Sequence, residues 1–250
     1  MKILITGASS GIGKDMAKIL AKPENSLVLV ARDMEKLENV KKDLQSLCNV
    51  EIISMDLSDE KKCIELHNTV QDIALLINNA GFGDCGNFNQ TSLEKDLNMI
   101  KTNIIAYHIL TKLYLKDMMK KDSGKILNVA SIAGFMPGPL MATYYATKNY
   151  VVKLSEAIRE ELNKAKSHVQ ISILCPGPVN TNFNNVANVK FHLREANSMD
   201  IAKYAIKKLE KGKFYIVPGI DIKLGKIGAK FAPTNLVSKV SYMVQKRKLY

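Results

Sequence analysis

The chain has 250 residues, 46% hydrophobic and 24% charged, with 36 Lys or Arg against 24 Asp or Glu for a net charge of +12. These proportions match ordinary globular chains and exclude a disordered tail protein, a collagen-like fibre and a disulfide scaffold. The length allows one large domain or two small ones, and it buries enough surface to hold a core without metal or disulfide.

From the N-terminus, short β-rich runs alternate with amphipathic helical stretches. Strands are expected at Lys2–Thr6, Ser26–Ala31, Val50–Asp56, Ile73–Asn78, Lys125–Ala130, Gln170–Cys175 and Lys213–Val217. Between the first two, Ile12, Met16, Ile19 and Leu20 recur at helical spacing, as do Leu37, Val40 and Leu44 after the second. Further helices are expected to begin near Ser92, Thr143 and Met199. Such alternation predicts βαβ units and a parallel sheet covered on both faces, in one doubly wound domain. Continuous apolar strands such as Leu27-Val28-Leu29-Val30 fit burial on both sides. No apolar run approaches the ~20 residues of a membrane span. The start, Lys2 followed by Ile3, Leu4 and Ile5, is too short for a secretory h-region.

Three places carry chemistry. The first strand runs into Thr6-Gly7-Ala8-Ser9-Ser10-Gly11-Ile12-Gly13 and then a helix, so glycines sit where backbone can approach a pyrophosphate at a helix N-terminus. The spacing departs from G-x-G-x-x-G, and the position after the first strand carries the inference. The second strand ends Val30-Ala31-Arg32. There Ala31 offers no carboxylate to repel a 2′-phosphate and Arg32 offers a planar fork suited to one, which predicts NADP(H), with Asp33 capping the next helix. Finally, Tyr144 and Lys148 are four residues apart on one helix face, and Ser131 ends a strand. Bringing a tyrosine from its ordinary pKa to neutrality takes roughly 4 kcal/mol of extra phenolate stabilisation, which an adjacent ammonium and an oxidised nicotinamide have the right charge to supply.

Together with Asp56-Leu57, Asn78-Asn79-Ala80-Gly81, Asn103 and Pro176-Gly177-Pro178-Val179-Asn180-Thr181, these ordered motifs resemble the short-chain dehydrogenase/reductase family, compact single-domain subgroup, from Thr6 to about Val217. The resemblance implies an α/β protein with a Rossmann-type doubly wound parallel sheet of about seven strands. It implies an oxidoreductase moving hydride between NADP(H) and a ketone, aldehyde or secondary alcohol. By resemblance the turn holding Gly7, Ser9, Ser10, Gly11, Ile12 and Gly13, with Arg32, contacts the adenosine and phosphates. Asp56 and Leu57 are similar to the adenine contacts, and Asn79, Ala80 and Gly81 to the wall beside the adenine ribose. Pro176, Gly177, Val179 and Thr181 match the segment touching the carboxamide. Tyr144 resembles the general acid/base, Lys148 the residue that binds the ribose and lowers the tyrosine pKa, Ser131 the hydroxyl holding the substrate oxygen, and Asn103 the residue holding a water in the proton relay. Family habit implies a homodimer or homotetramer packed through the helices of Asn103 and Tyr144. A sugar-nucleotide epimerase and a catalytically silent NADP-binding module are the alternatives.

Where the compact pattern runs straight to its end, Val217-Pro218-Gly219 is followed here by Ile220 to Tyr250. This 220–250 extension has Lys223, Lys226, Lys230, Lys239, Lys246, Arg247 and Lys248 between Leu224, Ile227, Phe231, Leu236, Val237, Val240 and Met243. The plainest expectation is a helical pair packed on the domain with a solvated basic face. A subunit contact and a segment lying on an anionic membrane are the alternatives. Substrate walls are expected along Phe82 to Phe88, Ile132 to Met141 and a mobile lid from Asn182 to Ser198, with Phe135, Met136, Met141, Phe183, Val186 and Phe191 making the pocket apolar. Cys48, Cys63, Cys85 and Cys175, like the four histidines, lack metal-site spacing, so no metal is expected and reduced cytoplasmic thiols are. The lysines are dispersed and unaccompanied by stacking aromatics, so nucleic-acid binding is not expected.

Overall fold

The computed structural model describes residues 1–187 and 195–247. The elements run β1 (Lys2–Thr6), α1 (Gly11–Leu20), β2 (Ser26–Ala31), α2 (Met34–Leu44), β3 (Asn49–Ser54), α3 (Glu60–Thr69) and β4 (Leu75–Asn78). Then come α4 (Leu93–Ile100), a π-helical turn (Lys101–Ile105), α5 (Ala106–Lys120), β5 (Lys125–Val129), α6 (Ala142–Lys164) and β6 (Gln170–Leu174). The C-terminal part holds β7 (Val179–Asn180), α7 (Phe183–Val186), β8 (Ala196–Asn197), α8 (Ser198–Glu210), β9 (Tyr215–Ile216), α9 (Ile220–Phe231) and α10 (Thr234–Lys246). All seven expected strands are present, with ends displaced by no more than two residues. The small parallel pair of β7 and β8 was not anticipated, because two-residue strands carry no periodicity.

Seven strands form one parallel sheet in the order β3-β2-β1-β4-β5-β6-β9, a Rossmann-type arrangement. Its two faces follow from the pleat: Leu27 and Leu29 enter one apolar cluster while Val28 and Val30 enter the other. The first cluster takes Met16 of α1, Leu37 of α2 and Ile201 of α8; the second takes Leu66 of α3, Tyr107 of α5 and Val151 of α6. Helices on both sides explain why these strands read as unbroken apolar runs.

Helix starts follow local chemistry. Asp33, Asp59, Ser92 and Asn197 each accept a backbone N–H at the beginning of α2, α3, α4 and α8. Asp33 is therefore a cap, as expected.

Polar groups also cross the second interface. Asn78 Nδ2 donates to Thr111 Oγ1 (3.0 Å) and Asn128 Oδ1 (2.9 Å), and Asn128 Nδ2 donates to Ser155 Oγ (3.0 Å), joining β4, β5, α5 and α6. All four residues are buried.

One expectation changes, and another falls partly outside the described residues. The tail is helical, but Ile220, Leu224, Ile227, Phe231, Leu236, Val240 and Met243 are exposed, so the apolar stripe is not packed on the domain. It is attached by other residues: Ile222 packs against the second cluster, and Ser241 and Gln245 are buried. The expected lid contains α7 and β8, and its residues 188–194, including Phe191, lie outside the described residues.

Replacing Asn128 by Ala should cost about 2–4 kcal/mol, because it opens a void and strands buried polar partners. Urea unfolding measures this, and a loss below about 1 kcal/mol would mean that the network is not structural.

Candidate active site

The sheet reverses direction of winding between β1 and β4, and the crevice beyond their carboxyl ends holds a cavity of about 660 Å³. Gly7 begins the turn after β1 with φ +65°, a left-handed conformation costly for other residues. At Gly13 any Cβ would stand 2.4 Å from the Gly7 carbonyl oxygen, so glycine is what lets α1 approach β1. Thr6 Oγ1 accepts the N–H groups of Asn79 (2.9 Å) and Ala80 (3.0 Å), and Asn79 Nδ2 donates to the carbonyls of Thr6 (3.0 Å) and Gly7 (3.1 Å). The ends of β1 and β4 are thereby locked at the crevice floor.

Among the residues expected to hold cofactor, Gly7, Ser9, Ser10, Ile12, Arg32, Asp56, Leu57, Asn79, Ala80 and Gly81 line this cavity, as do Pro176, Gly177, Val179 and Thr181. Gly11 and Gly13 do not line it. Their part is backbone geometry, at φ +54° for Gly11 and by close packing for Gly13. Unlike the four capped helices, α1 begins without a side-chain cap or an acidic residue in its first turn, at the edge where Ser10 and Ile12 face the cavity. An uncapped N-terminus beside a glycine turn fits an anionic phosphate group. Further along, burial raises the Asp56 carboxyl, but the Ser58 N–H at 3.0 Å, the Ser58 hydroxyl and the Arg32 guanidinium outweigh it and hold the group below the usual carboxylate range. Lys36 also lines this end and was missed, although it lies one helical turn beyond Arg32 in the sequence.

At the other end Ser131, Tyr144 and Lys148 line the same cavity. Ser131 caps a 3₁₀ turn (Ile132–Phe135), its Oγ accepting the Ala133 N–H at 3.2 Å. Lys148 is buried; its Nζ donates to the Val129 carbonyl at 2.9 Å and stands 5.3 Å and 5.9 Å from the Tyr107 and Tyr144 ring centres. Burial lowers its pKa to about 8. Burial also pushes the Tyr144 phenol above the ordinary tyrosine range, opposed by the facing Ser131 hydroxyl. The acidification expected at Tyr144 draws on the charge of an oxidised nicotinamide as well as that of Lys148.

Asn103 does not line the cavity. It sits in the π-helical turn, where the Ala106 N–H reaches back to the Lys101 carbonyl. Its Oδ1 accepts the Phe82 N–H (3.1 Å) and its Nδ2 donates to the Phe82 carbonyl (2.8 Å) and Thr147 Oγ1 (3.1 Å). The side chain is thus a fastener between the loop after β4 and the Tyr144 helix. π-helical turns recur where helices are locally adjusted for function.

The expected apolar wall is partly present. Met141, Phe183 and Val186 line the cavity, and the Phe183 ring lies 5.2 Å from that of Tyr144. It also occupies the space a Cβ on Gly83 would need. Phe135 packs instead into the second cluster of the sheet, Met136 packs behind the wall in the cluster that holds Met141, Tyr144 and Phe183, and Phe88 is exposed. Tyr145, three residues before Lys148, also lines the cavity; burial pushes its phenol up to about 12, and its hydroxyl receives Gln245 Nε2 from α10.

A dinucleotide crevice with a tyrosine and a lysine on one helix beneath it defines a class of Rossmann-type protein, and sequence comparison specifies which. The family model described as short chain dehydrogenase matches residues 1–190. The chain belongs to this family. It is 35% identical over 182 residues to the ketoacyl reductase HetN of Nostoc sp., covering 71% of this chain and 63% of that protein. It is also 35% identical over 198 residues to an NADP-dependent 3-hydroxy acid dehydrogenase of Schizosaccharomyces pombe, covering 76% and 74%. The alignment to the Nostoc protein thus spans less than two thirds of its length. Among solved structures, a short-chain dehydrogenase from Sphingobium yanoikuyae in complex with NADPH superposes with a TM-score of 0.85 at 26% identity, covering 94% of each chain. A Burkholderia phymatum relative in complex with NAD gives 0.83 at 24%, covering 90% of this chain and 91% of that one, a likeness of fold.

Lys148 makes the site's stability depend on pH. Between about pH 8 and 10.5 the folded protein has released a proton that the unfolded chain still holds, so this residue's destabilisation, on the order of 3 kcal/mol below pH 8, disappears as pH rises. Lys148→Met should therefore be as stable as the parent or more so at pH 7, with the difference shrinking towards pH 10.5. The Val129 carbonyl keeps the Tyr107 hydroxyl as partner at 3.1 Å. Denaturant titrations at both pH values test this; a variant less stable at pH 7 than at pH 10, relative to the parent, would contradict it.

Proposed function

We propose that the protein is an NADP(H)-dependent oxidoreductase interconverting a ketone or aldehyde and the corresponding alcohol. The observation that carries the reading is one cavity lined at one end by Gly7, Ser9, Ile12, Arg32 and Asp56, and at the other by Ser131, Tyr144 and Lys148. Preference for the phosphorylated cofactor rests on Arg32, just after β2, where the strand ends in Ala31 and not a carboxylate, and on Lys36 in the first turn of α2, whose ammonium neutralises the neighbouring Asp33 carboxylate. The NADPH complex of the Sphingobium relative and the NADP dependence of the yeast one support the same choice. Asp56 is ionised and suited to accept the adenine amino group.

When bound, the reduced nicotinamide supplies the hydride. The chain's own residues then do three things. The Ser131 hydroxyl holds the carbonyl oxygen, the Tyr144 hydroxyl gives that oxygen a proton, and the Lys148 ammonium stabilises the phenolate left behind. A phenol is protonated at neutral pH, so Tyr144 carries the proton that reduction needs, and the Lys148 ammonium beside its ring favours releasing it. In the oxidative direction it needs added positive charge beside it to act as a base. Phe183, Met141 and Val186 make the substrate end apolar, and 3-oxoacyl and 3-hydroxy acid compounds are the first candidates, given the names of the Nostoc and yeast relatives. Exposed Leu93 and Leu97 on α4 support a homo-oligomer packed through this helix region, and four cysteines outside any disulfide support a cytoplasmic setting.

Loss of NADPH absorbance over a panel of ketones, aldehydes and 3-oxoacyl thioesters tests the activity. Tyr144→Phe should lower kcat by on the order of 10²–10⁴-fold with NADPH affinity unchanged. Cofactor binding with no turnover of any carbonyl would instead make the protein a silent binding module. Arg32→Ala should raise the KM for NADPH roughly 10- to 100-fold and leave that for NADH unchanged. Equal effects on both cofactors would remove Arg32 from phosphate recognition.

A further inference from the structure

We propose that the outer face of α9 and α10 is a docking surface for an anionic lipid bilayer. In α9, Ile220, Leu224 and Ile227 recur on one helical face and are exposed, at 76% and 62% for the first two. In α10, Leu236, Val240 and Met243 do the same. The opposite side of α10 carries the buried residues, and these are polar: Ser241 is 6% and Gln245 2% exposed. A helix arranged for water buries its apolar side and exposes its polar one. Here the polar side is fixed inward by the bond from Gln245 to Tyr145, so the apolar side is presented outward.

Charge identifies what covers it. Residues 220–250 contain seven Lys or Arg and one Asp, which accounts for half of the chain's net +12. Lys223, Lys239, Lys246 and Arg247 are exposed. Two copies packed through this face about a two-fold axis would set lysines against lysines. A bilayer with anionic headgroups instead neutralises the lysines, while the acyl boundary receives the leucines. Neither helix is long and apolar enough to cross a membrane, so the geometry is that of a segment lying in the interface. Gln245 joins this surface to Tyr145 in the cavity wall, which places it next to the substrate end of the site.

Co-sedimentation of the full chain with phosphatidylcholine vesicles, with and without phosphatidylglycerol, tests the proposal. Partition should rise roughly tenfold or more with phosphatidylglycerol and fall when salt is raised well above physiological strength. On the anionic vesicles, Leu224→Ser with Leu236→Ser should lower it roughly tenfold, as should Lys223→Glu with Lys239→Glu. NADPH binding should be unchanged in both double variants, which reports an intact fold without relying on turnover. A chain that stays in the supernatant with anionic vesicles overturns the proposal. Light scattering would then tell whether the leucine substitutions dissociate a dimer, in which case a second copy covers the face.

Discussion

The interior position of the Lys148 ammonium constrains the rest of the site. An ammonium is expensive to bury, and this one keeps a single backbone acceptor, the Val129 carbonyl at 2.9 Å, with two aromatic rings beside it. That carbonyl ends β5, Tyr107 belongs to α5 and Tyr144 to α6, so sheet and both helices must be in register for the charge to be tolerated. The buried chain from Asn78 through Asn128 to Ser155 ties the same elements together just below. On the proposed reading this is a site that gives up stability to place a charge where a reacting oxygen needs it.

A second constraint lies at the divergence of β1 and β4. One hydroxyl, Thr6 Oγ1, accepts two successive backbone N–H groups, and one amide, Asn79, returns two bonds to the glycine turn. These contacts keep the crevice open by satisfying locally the backbone that a bound group does not have to reach. Asn103 does the equivalent work at the other end, holding Phe82 from both sides so that the loop after β4 stands over the Tyr144 helix. Asn79 lines the cavity as well as locking its floor, whereas Asn103 stands behind the lining.

Legibility differed between these levels. Strand positions were readable because both faces of the sheet are buried and leave continuous apolar runs; the two-residue β7 and β8 were not, since nothing in so short a segment repeats. Residues that line the cavity through an ordered motif were found. Lys36 was missed since a lysine on the first turn of a helix has an ordinary explanation as a solvated charge. Phe135 was misplaced because apolar character does not say whether a side chain turns to a cavity or to the core.

The amino-acid order alone determined the strand–helix alternation and the parallel sheet, which rest on periodicity along the chain, and its resemblance to a family grouped Ser131 with Tyr144 and Lys148. Only the tertiary structure decided the burial of the Lys148 ammonium, the use of Asn103 as a fastener and the outward aspect of the tail's apolar stripe. These depend on burial, and burial is set by which distant surfaces meet: the depth of α6 against β5, the loop of Phe82 against the π-helical turn, and Gln245 of α10 against Tyr145.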